Sequence, residues 1–129
     1  MFDWKKPTVQ MLGRWQPWHD GHQELFKRCI AKTGQVIIQV RDVQGASGGD
    51  GQDDNPFDWN FVCGEIEKGL NKDGFKRGID YEIMLVPNIV NITYGRGVGY
   101  AFDEETFSEE ITSISATKIR KKLREEGKL

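Results

Sequence analysis

Thr8-Val-Gln-Met-Leu12, then Gly13-Arg-Trp-Gln-Pro-Trp-His-Asp-Gly-His22, is the stretch whose reading decides the fold. The first five residues have the apolar, β-branched character of a short strand, and Gly13 ends it. Asp20 starts a helix, with Gln23 three residues on as its capping-box partner. Leu25, Phe26, Cys29 and Ile30 share one helical face, and Gly34 stops the helix. Gln35-Val-Ile-Ile-Gln-Val40 then reads as a central strand. A strand, a helix and a strand joined by short links form a βαβ unit. Its strands are parallel and its crossover is right-handed.

Outward from this unit the pattern repeats. Residues 41–54 are a loop rich in Gly and Asp with no periodicity. Asn55-Pro56 marks a second helix start, Asn as cap and Pro as first helical residue. Phe61, Val62, Ile66 and Leu70 are its expected buried face. Tyr81 to Val86 is another strand, closed by Pro87. Ile89 to Tyr94 reads as a short strand or an irregular turn, and Tyr100 to Phe102 as a further strand. Ser115 caps a final helix with Ile119 and Leu123 as its apolar pair. The fold class is α/β with a mostly parallel sheet, and residues 1–129 form one domain.

Composition narrows the function. The chain has 18 basic and 20 acidic residues, for a formal charge of -2. That balance argues against a nucleic-acid partner, which calls for a basic surface. No apolar run approaches a membrane span of roughly 20 residues. The charged start is no signal peptide, so a cytoplasmic protein with Cys29 and Cys63 as thiols is expected.

Chemistry concentrates at two places. Both histidines of the chain, His19 and His22, sit at the carboxyl end of the first strand and the start of the first helix. That edge of an open α/β sheet is where ligands bind, and a helix amino terminus attracts anions. Both rings can face one bound phosphate, and Gly21 lets an anion approach the backbone. The second place is Ile114-Ser-Ala-Thr-Lys-Ile-Arg120. Ser115 and Thr117 bring hydroxyls to the helix start. Lys118, Arg120, Lys121 and Lys122 oppose the helix dipole at ~0.3–1 kcal/mol each. A polyanion at the helix start would offset that cost.

These stretches carry a resemblance. Gly13-Arg-Trp-Gln-Pro-Trp-His-Asp-Gly-His22 resembles the G-R-F-Q-P-x-H-x-G-H signature of the nucleotidyltransferase superfamily with the H-x-G-H motif. Ile114 to Arg120 is similar to its closing I-S-x-T-x-I-R motif. Asn55-Pro56-Phe57 resembles the N-P-F element of nicotinamide-mononucleotide adenylyltransferases. The resemblance implies a Rossmann-like open parallel sheet of about five strands with helices on both faces. It implies transfer of an adenylyl group from ATP to a small phosphorylated acceptor, nicotinamide mononucleotide first, with release of pyrophosphate. Alternatives are a cytidylyltransferase for a phosphorylated alcohol such as glycerol 3-phosphate and a non-catalytic nucleotide-binding regulatory module.

The resemblance also implies roles. His19 and His22 serve the α-phosphate and the bridging oxygen, and Arg120, Ser115 and Thr117 the leaving pyrophosphate. Gly13, Arg14, Trp15, Gln16 and Gly21 shape the nucleotide loop. Gly95 and Arg96 are either a structural turn or a wall of the nucleotide pocket. Arg41 meets the acceptor phosphate or makes a surface ion pair. Asn55 and Trp59 are further acceptor candidates, though rim packing competes for Trp59, as core packing does for Trp18. Mg2+ would bridge nucleotide phosphates without a dedicated protein cage. A homo-oligomer is left open.

Overall fold

The computed structural model of the protein describes residues 1–45, 55–97, 99–105 and 116–127. Their elements run in the order β1 (Val9–Gly13), α1 (Asp20–Thr33), β2 (Val36–Arg41), α2 (Trp59–Lys72), β3 (Tyr81–Val86) and α3 (Ala116–Glu125). The strands form a parallel three-stranded sheet in the order β1-β2-β3. Val9 pairs with Val36 and Gly13 with Val40, while Val36 pairs with Tyr81 and Arg41 with Val86.

This order fixes where the helices go. Both crossovers step the same way across the sheet, so right-handed connections put α1 and α2 on one face. The side chains agree. Gln23 of α1 donates to the Gly69 carbonyl of α2 at 2.6 Å. Met11, Val36, Ile38, Val40, Tyr81 and Ile83 are the buried sheet residues beneath them. Phe26 is fully buried, edge-on to Phe75 and Tyr81 at 4.9 and 5.7 Å. Burying such a ring is worth ~1.5–3 kcal/mol. Ile37, Gln39, Glu82 and Met84 on the opposite face are only half-buried.

The expectation of about five strands with helices on both faces is met in class but not in extent. Three strands are present among the described residues. The segment after Pro87 is not a ladder there: Val90, Ile92, Tyr94, Tyr100 and Phe102 stand exposed. Alternation makes a strand only where an open edge accepts it. Salt bridges instead tie this segment to α1, from Lys32 to Asp103 and Glu105 at 2.8 and 2.6 Å.

α1 starts at Asp20 as expected, but its cap differs, and the start of α2 shifts. His19, not Asp20, caps α1. Asp58, not Asn55, caps α2, its carboxylate accepting from the Phe61 N–H at 2.8 Å. Phe61 is therefore turned outward against Phe57, and Val62, Ile66 and Leu70 alone are the buried face. Gly34 ends α1 as expected, in the left-handed region at φ 91°. Cys29 is buried and Cys63 half-buried, both free. No helix among the described residues is long and apolar enough to cross a membrane.

Candidate functional site

The turn from β1 into α1 is built around its two histidines. His19 is the N-cap: its Nδ1 accepts from the Gly21 N–H at 3.0 Å and the His22 N–H at 3.4 Å. His22, at the third helical position, returns the bond, its Nδ1 accepting from the His19 N–H at 3.1 Å. This is a capping box in which imidazoles replace the usual hydroxyl and carboxylate. It stacks the two rings 3.6 Å apart, 18° from parallel, so they present side by side.

Tryptophans hold that pair. Trp15 lies edge-on to His22 with centroids 4.7 Å apart, and Trp18 packs at 5.4 Å. Trp15 has a left-handed backbone, φ 54°, rare for a bulky residue. Its Nε1 donates to the Gln39 carbonyl at 3.1 Å, which anchors the ring across β2. Gly13 makes this seat: a Cβ there would lie 2.7 Å from the Trp15 ring. Trp18 Nε1 donates to Gln23 Oε1 at 2.8 Å, and Gln23 in turn donates to Asp73 at 2.8 Å as well as to Gly69. Gly69 lets Trp18 approach α2, since a Cβ would lie 3.1 Å from its indole.

Burial pushes His22 down to about 3, with the stacked His19 adding to the effect. Burial lowers His19 also, against the pull of Asp20. Both rings are therefore neutral at neutral pH.

Three distant segments meet at this turn. Gln16 is 4% exposed, and its amide donates to the Phe57 carbonyl at 3.0 Å while accepting from the Phe57 N–H at 2.9 Å. Arg14 donates to Asn55 Oδ1 at 3.1 Å. Arg120, 2% exposed on α3, donates through Nη1 to the Gln16 carbonyl at 2.6 Å. The Asn55-Pro56-Phe57 segment and α3 are thus locked to the histidine turn.

The remaining sequence-derived residues divide. Arg41 ends β2, and its Nη2 donates to Asn88 at 2.7 Å, while its Nε is buried without a partner among the described residues. Trp59 is half-buried and packs against the core. Asn55 is buried and serves Arg14. The Gly21 N–H is spent on His19. Gly95 and Arg96 are exposed, and no hydrogen bond or ring contact joins them to the histidine turn among the described residues. Ser115, the side chain of Thr117 and the loop 46–54 lie outside the described residues. Gln39 was not expected here, and Gln23 was expected only as the capping-box partner of Asp20, a role that His22 takes toward His19. Gln39 acts through its backbone, which no side chain betrays. Gln23 was signalled by a polar residue on the apolar face of α1.

No family model matches the chain. It is 28% identical to a nicotinamide-nucleotide adenylyltransferase of Methanococcus maripaludis, covering 89% of this chain and 77% of that protein. A namesake from Methanococcus aeolicus is 26% identical over 88% of this chain and 75% of its own length. One from Archaeoglobus fulgidus is 28% identical over 59% of this chain and 41% of its own. Over most of its length the chain is thus similar to curated nicotinamide-nucleotide adenylyltransferases, at low identity.

Proposed function

We propose that this protein is a nucleotidyltransferase that moves an adenylyl group from ATP to a phosphate-bearing acceptor and releases pyrophosphate. Nicotinamide mononucleotide is the acceptor we assign. One observation carries the reading: the reciprocal histidine pair at the start of α1, with Arg120 brought to the same turn from 104 residues away. The relatives' names support adenylyl transfer over cytidylyl transfer and over a silent regulatory module.

The chemistry asks little of the protein beyond placement and charge. An acceptor phosphate is already ionised at neutral pH and needs no general base. It attacks the α-phosphorus in line, a bond forms from its oxygen to phosphorus, and the bond to the bridging oxygen breaks. Negative charge grows on the non-bridging α-oxygens and on the departing pyrophosphate. His19 and His22 donate hydrogen bonds to the former, with Trp15 and Trp18 packed against His22 to hold the pair in place. Arg120 brings positive charge to the latter, with Ser115 and Thr117 as further donors. Arg14 and Gln16 hold the loop against Asn55 and Phe57. Arg41, with its unspent Nε, contacts the acceptor phosphate, and Trp59 flanks its ring.

No group of three His, Cys, Asp or Glu side chains fit to hold a metal occurs among the described residues. The donor set of the turn is imidazole and guanidinium, which suits anions. We assign Mg2+ to the substrate, as the magnesium salt of ATP.

The test is a pyrophosphate-release screen of ATP and CTP against nicotinamide mononucleotide and glycerol 3-phosphate. The fastest release is expected from ATP with nicotinamide mononucleotide. Release only with CTP would assign the chain to the cytidylyl branch.

A further inference from the structure

Trp18 stands just before His19 in the chain, and Gln23 just after His22. Both are buried, at 7% and 8% exposure. Their side chains join across the turn, the Trp18 indole N–H donating to Gln23 Oε1 at 2.8 Å. The Gln23 amide then turns its NH2 to α2, donating to the Gly69 carbonyl at 2.6 Å and to Asp73 Oδ2 at 2.8 Å. This run of bonds has one direction. Turning the amide over would aim its NH2 at the indole N–H and its oxygen at a carbonyl and a carboxylate. Glu at this position would bring no proton at neutral pH, and Met would bring none at any pH.

What the relay holds is the indole. Trp18 packs at 5.4 Å on His22 and at 5.2 Å on Trp15, whose ring lies edge-on to His22. An indole N–H buried without an acceptor is costly. Without Gln23 the ring gains by swinging its N–H to water, which takes it off His22. Gly69 points the same way. It lies inside α2, where glycine weakens a helix relative to alanine. A Cβ there would lie 3.0 Å from Gln23 Oε1 and 3.1 Å from the indole, so the helix forgoes a methyl group where the relay crosses it. Lys27 of α1 meets Asp73 at 3.3 Å and holds the carboxylate beside Gln23.

We infer that Gln23 is a positioning residue: through Trp18 it fixes the orientation of His22, so that Gly69 and Asp73, which touch no substrate in the proposed reaction, bear on its rate. The effect on rate rests on the proposed adenylyl transfer; the fixing of His22 does not.

The experiment is a double-mutant cycle on the full chain, read by kinetics and by the imidazole 1H–13C resonances of His22. Those resonances sense the ring currents of the tryptophans, and the chain has only two histidines to assign. Gln23→Met keeps the side chain's length and strands the indole N–H. Its kcat should fall at least ~10-fold, with KM for ATP and acceptor within ~2-fold, and the His22 resonances should move. Trp18→Phe in the same background removes the stranded N–H. The double variant should regain kcat to within ~3-fold of the parent and return the His22 resonances toward their parental positions. A Gln23→Met protein that melts lower but keeps parental kcat and unmoved resonances would reduce Gln23 to a structural residue and overturn the inference. A double variant no faster than Gln23→Met would overturn it too. If Gln23→Met does not fold, Gly69→Ala carries the test, since it keeps every polar partner and crowds the same two side chains. Parental kcat and resonances in that variant would overturn the inference. Resonances that move in Gln23→Met and return in the double variant, with no turnover by the parent on any acceptor, would uphold the positioning of His22 and sink the proposed function instead.

Discussion

At the scale of single residues, the histidine pair depends on positions that shape the turn rather than supply its charge or donors. Gly13 is one. A methyl group there would lie 2.7 Å from the Trp15 ring, which cannot yield without leaving His22 or its bond to Gln39. Gly13→Ala should lower kcat by ~10-fold or more with both histidines intact, since misplacement near 1 Å is costly. A variant of parental kcat would show that Trp15 does not position the pair. Gln16 is another. Gln16→Ala strands the buried Phe57 N–H and carbonyl, so urea unfolding should show a loss of about 2 kcal/mol. Arg120→Ala should weaken ATP binding by at least ~10-fold and AMP binding far less, because its assigned partners are the β- and γ-phosphates. Equal losses in calorimetric titrations of the two nucleotides would contradict that assignment.

At the scale of elements, α1 is a helix whose start is tied to proton uptake. In the unfolded chain a histidine binds a proton near pH 6.5, but burial holds His22 in the fold down to about 3. The unfolded state therefore takes up the proton first. Stability from the neutral ring is complete above pH 6.5 and declines as pH falls from 6.5 toward 3, by up to ~1.4 kcal/mol per pH unit. Unfolding free energies at pH 7.5, 6.5 and 5.5 should fall across the last interval, and His22→Asn should show a shallower fall. Parallel profiles for the two proteins would contradict the linkage. The sequence made the existence of α1 and its stop at Gly34 plain, through apolar spacing and a left-handed glycine. It misread the cap by one residue, because His is not an ordinary capping side chain and Asp20 is. The same rule misplaced the start of α2: Asn55 is spent on Arg14, and Asp58 was free to cap.

At the scale of the whole molecule, local pattern predicted local structure well and long-range structure in part. β1, β2 and β3 were legible because each is a short apolar run with a breaker beside it, and the link lengths made them parallel. The stretch from Ile89 to Phe102 is also rich in apolar residues, yet Val90, Ile92, Tyr94, Tyr100 and Phe102 lie exposed, and the chain just beyond, at Asp103 and Glu105, is tied to α1 by Lys32. Composition cannot tell a strand from an uncovered segment when the pairing edge is far away. Most residues that meet at the histidine turn were named from the sequence, but not how they meet. His19, His22, Arg14, Gln16, Asn55 and Arg120 were all singled out. That Arg14 meets Asn55, Gln16 meets Phe57 and Arg120 meets Gln16 spans 41, 41 and 104 residues of chain, beyond any periodicity.

Adenylyl transfer by this folded turn is the activity proposed for the protein. Its most direct measurement is product analysis of ATP with nicotinamide mononucleotide, run in parallel on the parent protein and on folded His22→Ala. The parent should yield one adenylylated dinucleotide per pyrophosphate released, and the variant a rate ~100-fold or more lower. No dinucleotide at millimolar acceptor, or equal rates in the two proteins, would contradict it.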